Sequence, residues 1–341
     1  MTNTFTYTSI RKLNNKILID VRSPLEFKEG TIPDAINIPV LLNDERKEVG
    51  TLYSKGEIDK AKLLAVESIS KRLPTIFSNF LELKNKFENI VIFCARGGYR
   101  SRSLSSFLDS LDISNIRIEG GYKGYRNYII NNMNYFISKI TPIVLYGNTG
   151  CGKTEILQNL KLKGYPVIDL ENLAVHRGSI LGAVGLNEQP KQKMFDSLLF
   201  EEISKYENKY VFIEGESKRI GKISLPELLY KKMANSINIK IDAPIEERVK
   251  RLVGEYAIPQ NKDDIKNSIN YMRKYISNKA ANNLLEALEN NEYDYIAKEL
   301  CINYYDKKYS NRVNKFDFQF TNNNVDKVTE EIIEKTKHLF K

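Results

Sequence analysis

At 341 residues, the chain has the length of about two domains, and 42% hydrophobic residues at a mean hydropathy of −0.41 exclude a largely disordered protein. Lys and Arg outnumber Asp and Glu by 52 to 43, a net charge of +9 that divides into +5 over residues 1–130, +1 over 131–247 and +3 over 248–341. No basic tail exists, so any surface for a polyanion has to be assembled by folding. Three cysteines (Cys94, Cys151, Cys301) without a C-x-x-C pair, and only two histidines (His176, His338), argue against a disulfide scaffold and against a structural metal site. The opening MTNTFTYTSIRKLNNK lacks the apolar core of a signal peptide, and runs such as IVIFCA and PIVLY fall far short of the ~20 residues that span a bilayer. The expectation is a cytoplasmic protein without membrane partners, its thiols reduced.

Short apolar runs alternate with amphipathic stretches along the chain, the pattern of parallel α/β domains. Strands are expected at 16–22, 36–40, 89–94 and 115–120, with helices around 58–72, 75–87, 101–111 and 122–132. The polar stretch 131–139 then leads to a fresh strand at 141–147, which places a domain boundary there and gives domains 1–130 and 131–341. Strands recur at 166–170, 210–215 and 236–242. Beyond about 245 the pattern turns mostly helical, with a late strand expected at 316–320.

Cys94 ends the apolar strand NIVIFC and opens the loop C-A-R-G-G-Y-R, which runs into the helical SRSLSSFLDSL. A helix beginning just after such a loop aims backbone N–H groups and a positive dipole end at the loop centre. A thiolate placed there is stabilised, and the same cradle binds an oxyanion. Gly97 and Gly98 permit the tight backbone, and Arg96, Arg100 and Ser101 complete the chalcogen or anion loop.

Strand PIVLY likewise runs into G-N-T-G-C-G-K-T (147–154) and a helix, which is G-x-x-x-x-G-K-[ST] in the setting that makes it a phosphate loop. Gly147, Gly150 and Gly152 let successive N–H groups wrap a polyphosphate, Lys153 neutralises its oxygens and Thr154 is placed to ligate Mg2+. Cys151 reads as a spacer. Asp169, Glu214 and Glu216 are the acidic candidates for metal or water, Arg248 and Arg251 the candidates for phosphate, and His176 reads as structural.

LIDVRSPLEFKEGTIPDAINIPV (18–40) resembles the opening of rhodanese domains, with Cys94 at their catalytic position and EGGYKGYR (119–126) similar to their closing segment. Asp20, Arg22, Glu26, Pro33 and Asn37 carry that resemblance and read as scaffold. Arg100 lies six residues after Cys94, and C-x5-R is also the signature of cysteine phosphatases, so phosphate-ester hydrolysis stays open. With the phosphate loop following, the chain resembles the tRNA 2-selenouridine synthase family; FCARGGYRS, GNTGCGKTEIL, DLENLAVHRGS, QPKQKMF and IEGESKRIGKISLP carry the match. It departs from that family at Ala95, where members commonly have Trp, and at Gly215, where they commonly have an acidic residue; Tyr99 is the aromatic available to cover the cysteine.

The resemblance implies a rhodanese-like parallel α/β domain followed by a P-loop α/β domain with a largely helical C-terminal extension. It implies a transferase that replaces the sulfur of wobble 2-thiouridine in tRNA with selenium from selenophosphate, through an S-geranyl intermediate made from geranyl diphosphate. Cys94 would carry the selenium, the phosphate loop would hold the diphosphate, and no redox cofactor is called for. A selenophosphate-producing enzyme is the protein partner it implies. Arg96, Arg100, Arg102, Arg117, Lys123 and Arg126 cluster in sequence near the cysteine. Tyr256, Tyr271, Tyr275, Tyr293, Tyr295, Tyr304, Tyr305 and Tyr309 interleave with Lys and Arg over 248–315, as a tRNA surface requires. The competing reading is a nucleotide-dependent sulfurtransferase, or a phosphatase or kinase, acting on a small molecule.

Overall fold

The computed structural model describes residues 3–309 and 315–340. Its chain divides into two compact units, one running up to Met133 with Asp196–Leu198, the other comprising Asn134–Phe195 and the chain from Leu199 onward. The polar stretch 131–139 is helical, the end of a single helix Gly121–Lys139.

The first unit is built on five parallel strands, β1 (Asn3–Phe5), β2 (Lys16–Asp20), β3 (Ile36–Asn37), β4 (Asn89–Phe93) and β5 (Ile116–Ile118), in the order β1-β5-β4-β2-β3. The expected strands are present but shorter. Ile19, Ile90 and Ile92 pack under Phe80, Leu104 and Leu108 to form the core. β1 and the helix Asn43–Ser54 have no counterpart among the expected elements. The strand order reverses between β2 and β4, so the crevice at their carboxyl ends is where an open parallel sheet binds ligands.

The D-V-R-x-P-x-E-F opening folds as scaffold beside this crevice. Asp20 and Arg22 form a buried ion pair at 2.6 Å, Thr31 donates to the same carboxylate at 2.8 Å, and Arg22 donates to the Gly30 carbonyl at 2.7 Å. Asn37 donates to the carbonyls of Asp20 and Arg22. The charges are buried together, with hydrogen bonds from Arg22 and Thr31 to the carboxylate, the condition under which a buried pair is tolerated.

The second unit has the parallel order β12-β11-β6-β8-β7, with β6 (Thr141–Tyr146) central, β7 (Val167–Ile168), β8 (Tyr210–Glu214), β11 (Ile237–Asp242) and β12 (Phe318–Thr321). A small antiparallel hairpin, β9 (Arg219–Ile220) and β10 (Ile223–Ser224), stands apart. The helical region expected toward the C-terminus is present, most of it between β11 and β12. Helices Ile245–Tyr256, Lys262–Met272, Asn278–Glu289 and Tyr293–Leu300 and a π-helical turn Cys301–Tyr305 close on a core of their own, with Leu252, Ile269, Met272, Leu284 and Leu300. The chain then returns to the sheet, and helix Val325–Thr336 lays Val328 and Ile332 against Ile156 and Leu160.

Gly121 has a φ of +56°, and a Cβ there would stand 2.2 Å from the Cys94 carbonyl oxygen and 2.6 Å from the Gly97 nitrogen. Gly98, by contrast, has a negative φ and nothing within 4 Å of such a Cβ. Gly121→Ala is expected to destabilise the protein by about 2–4 kcal/mol in denaturant unfolding, whereas Gly98→Ala should change it by less than about 1 kcal/mol.

Candidate functional site

The cysteine loop leaves β4 and enters helix Tyr99–Asp109 through Gly97, whose φ is +67°. The closing Gly-Gly segment holds it from the other side: Tyr122 donates to the Cys94 carbonyl at 2.8 Å and Lys123 to the Ala95 carbonyl at 3.0 Å. Cys94 is 3% exposed, yet it stands on the wall of a depression shared with Arg96, Tyr99, Arg100 and Tyr53. Burial pushes the thiol up, but the Ser101 hydroxyl at 3.2 Å, the N–H groups of Ser101 and Arg96, and the Arg100 charge outweigh burial. The thiol therefore sits below its ordinary value. Serving as thiolate is what this position is suited to.

Arg100 is oriented by Glu26, whose carboxylate takes both guanidinium NH2 groups at 2.5 and 3.1 Å. The same carboxylate accepts the Ser23 N–H, closing the capping box of S-P-L-E at the start of helix Pro24–Glu29. Burial raises the Glu26 carboxyl, but Arg100, the Ser23 N–H and Arg46 reverse this and hold it at about 2. Glu26, read as scaffold, therefore fixes a loop arginine, while Arg96 is exposed at the rim. Where Ala95 replaces the family's Trp, Tyr53 stacks on Tyr99 at 6.3 Å, and Arg102 lies 4.8 Å above the Tyr99 ring. An aromatic wall is present without tryptophan.

The phosphate loop leaves β6 and enters helix Lys153–Leu162. Gly150 (φ +81°) abuts the Arg248 backbone, and Gly152 (φ +86°) abuts the Asn322 amide, which donates to the Cys151 carbonyl at 2.9 Å. Lys153 folds back onto the Gly147 carbonyl at 2.9 Å. Facing the loop are Glu171, Arg177, Glu216, Arg251 and Glu255. Cys151 is buried in the sheet core.

Several acidic and basic assignments change. Asp169 does not face the loop; its carboxylate caps helix Leu170–Ala174 by accepting the Asn172 N–H at 2.9 Å. Glu171 takes that place, with the Thr154 hydroxyl donating to it at 3.3 Å and a hydrogen bond to Glu216. Glu214 lies beneath, only 2% exposed, accepting the Glu171 N–H at 2.6 Å. The Arg248 guanidinium is held by Asp306 at 2.7 and 2.9 Å and by the Thr149 carbonyl, bracing the loop. Arg251 does face the loop, 3.1 Å from Glu155. Gly215 is explained by Tyr146, whose ring would lie 2.2 Å from a Cβ at that position.

Burial first, then the Glu216 charge, raises the Glu171 carboxyl well above the ordinary range, against the pull of Lys153. The Glu171 carboxyl therefore favours its neutral form beside the loop. Glu171 lies within DLENLAVHRGS but is not among the residues the sequence singles out; its place as the second residue of the helix that Asp169 caps brings it to Thr154.

Removing the Ser101 hydroxyl takes away the largest effect that lowers the Cys94 thiol. Ser101→Ala should thus move the midpoint of iodoacetamide alkylation against pH upward, toward the ordinary thiol value of 9.0. A second test concerns Glu214, which burial, Asp169 and Glu171 raise well above 4.5. A raised carboxyl contributes its stability fully below the unfolded value and loses it as pH climbs toward the folded one. The melting temperature should accordingly decline as pH is raised above 4.5, and Glu214→Gln should flatten that decline.

The chain matches a rhodanese-like domain over residues 7–128 and a tRNA 2-selenouridine synthase AAA domain over residues 140–339. It is 36% identical over 246 residues to a tRNA 2-selenouridine synthase of Nitrosomonas eutropha, a match covering 71% of this chain and 63% of that protein. It is also 36% identical over 250 residues to that of Bdellovibrio bacteriovorus, covering 71% and 64%. With the Proteus mirabilis synthase it shares 36% identity over 263 residues, covering 75% and 70%. A rhodanese-like unit and a phosphate-loop unit, joined in this order and at this identity, place the chain in the tRNA 2-selenouridine synthase family.

Proposed function

We propose that the protein is a tRNA 2-selenouridine synthase, exchanging the sulfur of wobble 2-thiouridine for selenium in two steps at two loops. The observation that carries this reading is the presence, in one chain, of a low-lying thiol in an anion cradle and a phosphate loop faced by Glu171 and Glu216.

In the first step the phosphate loop holds geranyl diphosphate. The thiouridine sulfur attacks C1, a C–S bond forms, the C–O bond breaks, and diphosphate departs into the loop N–H groups and Lys153. S-alkylation releases the N3 proton to water. Among the described residues no three His, Cys, Asp or Glu side chains converge on a ready metal site. The fit for Mg2+ rests instead on Thr154, Glu171 and Glu216, hard oxygen donors that include a buried Glu216 oxygen without a hydrogen-bond partner. These residues would hold the ion against the diphosphate, where it would supply charge neutralisation.

In the second step the cysteine cradle takes selenophosphate, a tetrahedral oxyanion suited to a six-residue loop closed by Arg100. The Cys94 thiolate attacks phosphorus, an S–P bond forms and the P–Se bond breaks to free selenide; water then cleaves the S–P bond, releasing phosphate and restoring the thiolate. Selenide adds to C2 of the geranylated uridine, the C–S bond breaks, and geranylthiolate leaves with a proton; no electrons are exchanged with a redox cofactor. Alkylation has converted a poor leaving sulfur into a better one.

Incubation with thiolated tRNA, geranyl diphosphate and selenophosphate, followed by nucleoside mass spectrometry, tests the scheme. Cys94→Ser should abolish selenation and leave geranylation, whereas Lys153→Ala should slow geranylation by roughly 10²-fold. Turnover of a small thiol acceptor with neither modified uridine formed would refute the synthase reading.

A further inference from the structure

Beside the phosphate loop, and within the second unit alone, lies a separate cleft of about 1570 Å3, open to solvent. It shares the segment around Gly178 and the strand end at 216–217 with the loop's surroundings, but none of the phosphate-loop residues line it. One wall belongs to the helical insertion. Tyr271 and Tyr275 stand on it half-exposed, at 51% and 56%, with Tyr304 and Tyr305 behind them. The rings form a continuous series, with centroids 6.0 Å apart from Tyr271 to Tyr275, 6.4 Å from Tyr275 to Tyr304 and 5.4 Å from Tyr304 to Tyr305.

The opposite wall is the β9–β10 hairpin, which carries Arg219 and Lys222. Glutamines pin it in place. Gln189 donates to the Ala174 and Ile220 carbonyls and accepts the Lys222 N–H, and Gln192 exchanges two hydrogen bonds with the Ser224 backbone. Gly221 (φ +57°) is needed for this approach, since a Cβ there would meet the Gln189 oxygen at 2.2 Å. Arg219 and Lys222 have no acidic partner among the described residues, and no carboxylate lines the cleft. His176 closes the floor. Its Nδ1 accepts the Gly178 N–H at 3.2 Å, which places the proton on Nε2, and burial together with Arg177 lowers its pKa and favours the neutral ring.

We infer that this cleft seats an unstacked nucleotide of the RNA substrate, its base against Tyr271 and Tyr275 and its phosphates toward Arg219 and Lys222. Exposed phenol rings facing unpaired cations across an acid-free cleft are what single-stranded RNA requires: a π-face for the base and positive charge for the backbone. An isoprenoid chain fits less well, because Ile180 and Ala183 are the only aliphatic side chains in the lining. The neutral His176 offers an N–H donor to a base edge. The inference rests on the tRNA reading above and adds where on the second unit the RNA is read.

The experiment uses an anticodon stem-loop RNA carrying 5-iodouridine at either position flanking the wobble nucleotide, photo-crosslinked to the full chain and mapped by mass spectrometry, with affinities measured in parallel. The adduct should fall on Tyr271 or Tyr275. The Tyr271→Ala/Tyr275→Ala double variant should bind this RNA about tenfold more weakly or worse, and the double Phe variant should stay within about threefold of wild type, since stacking needs the ring and not the hydroxyl. Both positions are exposed, and an unchanged melting temperature establishes that the variants fold. RNA binding by wild type with the adduct elsewhere and the Ala variant unaffected overturns the cleft assignment alone. An Ala variant that keeps RNA affinity but raises the KM for geranyl diphosphate assigns the rings to the isoprenoid instead. Failure of wild type to bind the RNA at all removes the tRNA reading together with the cleft.

Discussion

Both reactive loops depend on one constraint, the approach of backbone to backbone where a central parallel strand gives way to a helix. In the first unit the Gly97 turn and Gly121 let the Cys94 loop lie directly on the closing segment, with carbonyls 94 and 95 bonded to amides 122 and 123. In the second, Gly147 lies close to the Ile241 carbonyl, Gly150 to Arg248 and Gly152 to Asn322. No side chain fits at these contacts. Loop amides left over from this packing are thereby free to face an anion, and the strand order places each loop at the reversal point of its sheet.

On this common frame the two units set opposite electrostatic conditions. The cysteine loop gathers positive charge, with Glu26 spent on holding Arg100, so an anionic sulfur is favoured. The phosphate loop faces Lys153, Arg177 and Arg251, but also a pair of carboxyls that resist ionising together. An anionic ligand there meets cations and carboxyls together. The two loops thus share a backbone frame and differ in the charges set around it.

Much of this was legible in sequence because it is local. Apolar runs of four to six residues announced the buried strands, and the glycines and lysine of GNTGCGKT announced the second loop. What escaped depends on distant partners. β1 is three exposed residues without an apolar signal, a strand only because β5 pairs with it. Helix Asn43–Ser54 begins after Leu42, which has no capping side chain; Glu45 satisfies the Leu42 N–H instead. Asp169 reads as an acidic ligand because it stands at the end of an expected strand, but β7 stops at Ile168 and the helix starting at Leu170 takes Asp169 as its cap. Arg248 and Arg251 are indistinguishable in IEERVKRL; only Asp306, across the insertion, decides that one braces the loop while the other faces it. The tyrosines divide in the same way. Tyr256, Tyr304 and Tyr305 are buried, Tyr271, Tyr275 and Tyr295 are exposed, and the side chain of Tyr309 falls outside the described residues.

The insertion between β11 and β12 also fixes an order of events during synthesis. Asn322, which secures the Cys151 carbonyl, follows the last strand and is made some 170 residues after the loop it secures. A nascent chain thus displays a complete G-x-x-x-x-G-K-T sequence on the ribosome long before that loop is clamped. β12 can pair with β11 only once the whole insertion has been made. A chain that stops short of Asn322 lacks this hold on the loop.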